Sequence, residues 1–440
     1  MTVPVRSFGP RDVEFLVRLM DIPSVSPLEG GEAGQTARAQ ELFAREAEAR
    51  GFRVLLAGAP GPEVLDAPEV PLPVRSFFAA DPGLLAAQPS VVVAMGAPDA
   101  PAGRRLVINF HMDTVGPHLP PRLADGVLYG RGAVDDKGPG VAALAGVAAA
   151  FAREPAIAGA VEVRLCSVPG EEGGAMGSFG TRWLTSLGQV GRLTLFAEPT
   201  GRTFMDSSTA TMTLRLRVEG QDSTDDHPEQ GHNATVALGF LAARLAGELG
   251  GARADGSRVT VAGLETGSAH NRVYGSGQLL LNIAYPDTGT GALMRRRVTD
   301  ALAGARGAFR AAYSGNPLTR RVADDWDDVV RAEWLKQGLP TLANRDPAME
   351  AVLRGAGLRR HTPATDGAPF TCDAIWAGGP GRYVCVCGPG RLDRNGAHTE
   401  REHIAVGDLA AYADTVRRTV LRFAHAVGAP LHESTLEETH

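Results

Sequence analysis

The sequence predicts an α/β protein, a mostly parallel sheet flanked by helices, with a smaller α+β domain inserted into it. Three observations lead there. From residue 90 to 197, short apolar runs alternate with Ala-rich or amphipathic stretches: strand-like at 90–95, 105–110, 161–168 and 193–197, helical at 138–152 and 176–187. Strands that alternate with helices are covered on both faces, which favours parallel pairing. After Gly201 the texture changes, and 210–219 alternates apolar with polar residues, as an antiparallel strand with one wet face does. Finally, several apolar runs are followed at their carboxyl ends by His, Asp or Glu, where open α/β sheets collect their ligands.

Taken in order, 12–20 has helical spacing, Pro23-Ser-Val-Ser-Pro27 breaks it, and 35–50 reads as a second amphipathic helix. The Gly/Pro-rich stretch 57–85 reads as a long surface excursion. Beyond strand 210–219 come helix 233–249, strands 258–262 and 278–285, helix 291–303 and a strand at 310–313, a βαββαβ order. Helix 347–355, strand 383–387 and helix 406–427 return to the first domain. The expected division is therefore 1–202 and 315–440 for the larger domain, with 203–314 inserted.

A net charge of -6 with no Lys/Arg cluster argues against a nucleic-acid surface. The acidic pairs Asp324-Asp325 and Asp327-Asp328 read as solvated faces. The longest apolar stretch, 141–152, falls short of the about 20 residues a bilayer requires, so no membrane partner is expected. The opening Met1-Thr-Val-Pro-Val-Arg6 lacks the apolar core of a secretory signal. Cys166, Cys372, Cys385 and Cys387 form no C-x-x-C pair and read as buried, reduced thiols, which points to the cytoplasm.

The polar strand ends carry the chemistry. Run 107–110 leads to His111-Met-Asp113, and a glycine-bounded turn, 130–138, holds Asp135-Asp136-Lys137. Runs 161–168, 193–197 and 383–387 lead to Glu171-Glu172, to Glu198 and to the loop of His398. Two imidazoles and several carboxylates delivered into one crevice suit a pair of divalent ions. Glu171-Glu172 alone would read as a solvated pair; the other segments change that reading.

Together, from Leu19-Met-Asp-Ile-Pro-Ser-Val25 to Ala397-His-Thr-Glu-Arg-Glu402, these motifs resemble the aminoacylase/carboxypeptidase metallohydrolases. That family includes acetylornithine deacetylases, succinyl-diaminopimelate desuccinylases and carnosine-type dipeptidases. The resemblance implies a zinc-peptidase-like catalytic domain with an inserted lid/dimerisation domain, and a possible-partner list of one small amide substrate and a second copy of the chain. It implies that His111 and Glu198 bind a first ion, Glu172 and His398 a second, and Asp135 bridges both. The ions are expected to be zinc, with cobalt or manganese also suited to these ligands. Asp113 matches the carboxylate that orients the His111 ring. Glu171 matches the general base, acting on a water that bridges the metals, and the Asp135-Asp136 peptide matches a cis bond. The implied reaction is hydrolysis of an amide in a small N-acyl amino acid or dipeptide-like molecule. The Asp-Asp-Lys spelling resembles the dipeptidase branch, whereas Glu198-Pro-Thr resembles the deacetylases. Gly388-Pro-Gly390 resembles the loop that holds the substrate backbone.

Two departures concern recognition. Where the family's inserted domain carries an oxyanion-stabilising His, alignment on Gly220, Pro228 and Asn233 puts Thr224, with His227 and His232 nearby as substitutes. Where the family has an Arg that grips a substrate carboxylate, this chain has Ala284; Asn271 keeps a family position and Arg272 is the available charge. The expected substrate is accordingly unusual, such as one without a free α-carboxylate. The alternative is a metal-binding relative redirected to a non-hydrolytic or biosynthetic role.

Overall fold

The computed structural model describes residues 7–429 except Asp99 and Arg253. It divides into two units, the smaller made of Pro68–Pro73 and Thr209–Thr341 and the larger of the described residues on either side.

The larger unit is built on a six-stranded sheet. Its order is Arg53–Gly58, Ser90–Gly96, Glu162–Val168, Arg105–His111, Leu193–Pro199 and Tyr383–Gly388. The first two pairings are antiparallel and the other three parallel. Side chains alternate across the strands and both faces are buried, which explains the unbroken apolar runs. Val91, Val93, Leu106, Ile108, Val163 and Leu165 join one core with helix Lys137–Arg153, while Val92, Val107, Cys166 and Val168 pack with Leu184 on the opposite face. Helix Lys137–Arg153 is buried along most of its length, and its Ala and Gly residues let helices Pro10–Met20 and Val406–Ala426 pack closely against it. All four cysteines are buried and free. Among the described residues, no helix is long and apolar enough to cross a membrane.

The smaller unit is a five-stranded antiparallel sheet ordered Gly251–Ala252, Arg258–Glu265, Ser276–Tyr285, Ala210–Glu219 and Val330–Lys336. Strand Ala210–Glu219 shows the expected alternation of buried and half-exposed positions. Helices Ala234–Leu249 and Thr288–Tyr313 pack together and cover the buried face.

Four local expectations are corrected. Residues 310–313 are not a strand but the last turn of helix Thr288–Tyr313, because Met294, Val298, Ala301, Ala305 and Phe309 recur at helical spacing and Tyr313 stacks on Phe309 at 4.7 Å. The strand that completes the sheet is Val330–Lys336, so the inserted unit runs on to Thr341 rather than 314 and begins at Thr209 rather than 203. Stretch 57–85 is not a bare excursion: it carries helices Leu72–Ala80 and Pro82–Ala86, anchored by buried Val74, Phe78 and Leu85. Finally, only Thr181–Ser186 of 176–187 is helical. Gly170, Gly173, Gly174 and Gly177 all take positive φ, which a helix excludes, and the chain after Glu172 turns back on itself instead.

Candidate metal centre

Strand order alone gathers most of the site. Arg105–His111 lies between Glu162–Val168 and Leu193–Pro199, all parallel, so His111, the loop with Glu171-Glu172, and Glu198 emerge side by side. Tyr383–Gly388 pairs with the far edge of Leu193–Pro199 and leads into the loop carrying His398. Asp135 comes from the turn that starts helix Lys137–Arg153, and the Asp135-Asp136 peptide is cis.

Ligand atoms of His111, Asp135 and Glu198 lie within 4.8 Å of one another, as do those of Asp135, Glu172 and His398. Asp135 belongs to both sets and gives a different oxygen to each. Its Oδ1 is 2.8 Å from His111 Nε2 and its Oδ2 is 3.1 Å from His398 Nε2. Glu198 Oε1 is 3.7 Å from His111 Nε2, and Glu172 Oε1 is 3.1 Å from His398 Nε2. A third grouping joins His111, Glu171 and Glu172. His398 stands in the left-handed region at φ 63 with its side chain half exposed, while Asp135, Glu172 and Glu198 are buried.

Burial pushes the Glu171 carboxyl well above its usual range, and the neighbouring Glu172 charge adds to it. Glu198 is raised likewise, by burial and then by Asp135. Asp135 goes the other way: burial raises it, but hydrogen bonds with His111 and His398 outweigh that and hold it low. Those same bonds to Asp135 and Glu172 carry His398 up to about 10. No Lys or Arg among the described residues forms an ion pair with Asp135, Glu171, Glu172 or Glu198.

Asp113 is buried beside His111, and the contact differs from the expected one. The His111 Nδ1 hydrogen bond is to the Asp113 backbone carbonyl at 2.7 Å, with the Asp113 carboxylate 3.8 Å away. That carboxylate instead accepts from the Glu172 backbone N–H at 3.2 Å, and burial pushes it up to about 6. One residue thus fixes both the first imidazole and the glutamate loop.

Gly388 is buried at the end of its strand, where a Cβ would lie 1.9 Å from the Ala197 carbonyl oxygen and 2.5 Å from that of Glu198. Only glycine fits there. The remaining candidates belong to the smaller unit. Thr224 is exposed on a two-residue strand paired with Arg272–Val273. His227 is exposed, 3.7 Å from Glu229, and Asn271 lies in an exposed turn. Arg272 is ion-paired with Asp222 and sits over the Tyr274 ring at 5.3 Å. His232 is buried; its Nδ1 accepts from the Gln221 backbone N–H at 2.8 Å, so its Nε2 donates to Asp325 at 3.0 Å.

Sequence reasoning missed the groups that hold the centre in place. Glu402 is buried and accepts from Arg131 Nη1 at 2.5 Å through one oxygen, and from the backbone N–H groups of Val134 and Asp135 at 3.3 and 3.4 Å through the other. Both residues lie in the motif segments, so proximity to the ligands was the available signal. On the other side, buried Asp373 accepts from Thr181, and Trp376 Nε1 donates to the Met176 carbonyl at 2.6 Å, bracing the Glu171 loop. A lone Asp after Thr371-Cys372 gave no such signal. Because Arg131 is 2% exposed and Glu402 1%, Glu402→Ala strands a buried cation. The expected loss is about 3–5 kcal/mol of unfolding free energy, measured in urea; a loss below about 1 kcal/mol would contradict the role.

This centre, at the carboxyl ends of parallel strands, defines a metallohydrolase class, and the comparisons agree. Residues 107–422 match peptidase family M20/M25/M40, and the chain belongs to that family, which makes it a metallopeptidase or amidohydrolase. It is 28% identical over 311 residues to a LysW-lysine/LysW-ornithine hydrolase of Aeropyrum pernix, covering 70% of this chain and 78% of that protein. It is 27% identical over 310 residues to a succinyl-diaminopimelate desuccinylase of Halorhodospira halophila, covering 67% and 74% respectively. Among solved structures, a tripeptidase from Staphylococcus aureus shares the fold with a TM-score of 0.68 at 18% identity, over 95% of this chain and all of that one (100%). Human carnosine dipeptidase 1 shares it with a TM-score of 0.62 at 15% identity, over 94% and 97%.

Proposed function

We propose that the chain hydrolyses an amide bond in a small N-acyl amino acid or dipeptide-like substrate, with two divalent cations and Glu171 as general base. In this reading His111, Asp135 and Glu198 hold one cation, and Asp135, Glu172 and His398 the other. The observation that carries it is Asp135, whose two oxygens each face a different imidazole and a different third ligand.

The residues fit such ions. Several carboxylates are packed into one buried site without a Lys or Arg partner, an arrangement whose repulsion cations would relieve. Imidazole and carboxylate donors suit zinc, and also cobalt or manganese. When bound, a pair of such ions polarises the amide carbonyl and makes water nucleophilic at neutral pH. Glu171 then takes the proton of the attacking water on a carboxylate oxygen and passes it to the leaving amine nitrogen. Asp113 keeps His111 in one tautomer, its backbone carbonyl accepting a hydrogen bond from the Nδ1–H.

A second reading, a metal-binding relative redirected to non-hydrolytic chemistry, draws on Thr224 and on His232, which is tied to Gln221 and Asp325. One experiment separates the two: reconstitution with zinc or cobalt, a metal count, and a screen of N-acyl amino acids and dipeptides. Two ions per chain with turnover is the expected result. Two ions without turnover favours the second reading, and less than one ion per chain contradicts both. The same proposal includes a cytoplasmic enzyme, supported by its buried free thiols, and a homodimer through the smaller unit, supported by the open edge of strand Val330–Lys336.

A further inference from the structure

The larger unit carries a cavity of about 170 Å³ next to the candidate centre, lined by Pro199, Thr200, His361, Asp366, Phe370 and Arg391, among others. Pro199 and Thr200 directly follow Glu198, and two residues of extended chain span at most about 7 Å. Phe370 packs against the buried cluster that includes Cys372 and Phe196, the latter on the strand that carries Glu198. The cavity is therefore a neighbour of the reacting end of the site.

Its charges are unequally engaged. Asp366 is held by both Nη groups of Arg359, at 2.7 and 2.5 Å, and by the Thr362 backbone N–H at 2.9 Å. Asp393 accepts from Arg391 Nε at 3.2 Å. Arg391 itself is well fixed: its backbone N–H donates to Asn395 Oδ1 at 2.8 Å, its backbone bridges to Thr200, and its stem passes over Gly201. Its Nη1 and Nη2 bond to none of the described residues, and the side chain is 31% exposed. An arginine anchored through Nε presents the paired Nη edge, the geometry that takes a carboxylate through two parallel hydrogen bonds.

We infer that Arg391 binds a carboxylate at one end of the amide substrate. The inference rests on the hydrolase reading and adds a substrate class to it: an acidic amide, such as an N-succinyl amino acid or a dipeptide with a free carboxyl end. Asp366 has its own arginine, Arg359, and Asp393 takes only the Nε of Arg391, which leaves the two Nη groups for the substrate.

The test uses full-length, metal-loaded protein and matched substrates, N-succinyl-alanine and alanyl-alanine, against the same molecules with each carboxylate converted in turn to a carboxamide. The readout is the ratio of kcat/KM for acid over carboxamide. Arg391→Ala is expected to collapse that ratio about 10- to 150-fold, mainly through KM, the factor for losing a charged hydrogen bond, with Arg391→Lys in between. Calorimetric binding of succinate gives a readout independent of turnover and is expected to weaken in parallel. If no substrate is turned over but succinate binding still depends on Arg391, the hydrolase reading fails and the subsite stands. Should Arg391→Ala, folded by its melting curve, change neither the ratio nor succinate affinity, the inference is overturned while hydrolysis can stand.

Discussion

Glu171→Gln is expected to lower kcat by about 10²- to 10⁴-fold while leaving KM and the metal count unchanged, since that is the usual contribution of a positioned general base. The substitution keeps the size and one hydrogen-bonding oxygen but removes the group that accepts a proton. The geometry makes the metal count the decisive companion measurement. Glu171 lies within 4.8 Å of ligand atoms of both His111 and Glu172, so distance alone is compatible with either ligand or base. What separates the roles is the rest of the arrangement: each of the two sets around Asp135 is complete without Glu171. A base should lose turnover and keep two ions, whereas a ligand should lose an ion as well. Turnover within tenfold of wild type, by steady-state kinetics on the best amide found, would remove Glu171 from the mechanism.

The parts of the fold visible in the sequence were those where local pattern and burial agree. Runs such as 105–110 and 161–168 are apolar throughout because both sheet faces are covered, and their polar ends converge because parallel neighbours finish at the same edge. Where pattern and tertiary context diverge, the reading failed. A last strand at 310–313 completed the expected βαββαβ order, yet Arg310-Ala-Ala-Tyr313 continues a long helix, with Phe309 and Tyr313 on one face. The apolar spacing of 176–187 imitates a helix, but the glycines before it set a sequence of left-handed turns. Stretch 57–85 looked unstructured because its helices are short and Pro-flanked, and only contacts such as Phe78 with Phe179 at 5.1 Å order them. At the site, ligand candidates were legible because metal-seeking side chains at strand ends are conspicuous. Arg131, Glu402, Thr181 and Asp373 were not, since each acts through a partner distant in sequence; Arg131 and Glu402 are separated by 271 positions.

Asp135→Asn is expected to have the broadest effect of any single substitution, depriving the protein of both cations rather than one. The reason is its shared position. His398→Ala or Glu198→Gln each removes a donor from one set only, so each variant should retain close to one ion per chain. Asp135 supplies Oδ1 toward His111 and Oδ2 toward His398, and an amide replaces two anionic oxygens by one neutral oxygen and a nitrogen that cannot ligate. Weakening at each site should exceed the about 10- to 100-fold typical of losing an outer partner of a metal ligand. Thermal unfolding gives a check that needs no substrate. A ligand present at about 1,000 times its dissociation constant stabilises a folded protein by about 4.1 kcal/mol, so wild type should melt higher with zinc than with chelator. In Asp135→Asn that difference should nearly vanish, while in His398→Ala part of it should remain. If Asp135→Asn binds one ion tightly and keeps a metal-dependent melting shift like that of His398→Ala, then Asp135 serves a single site and the two-cation arrangement is wrong.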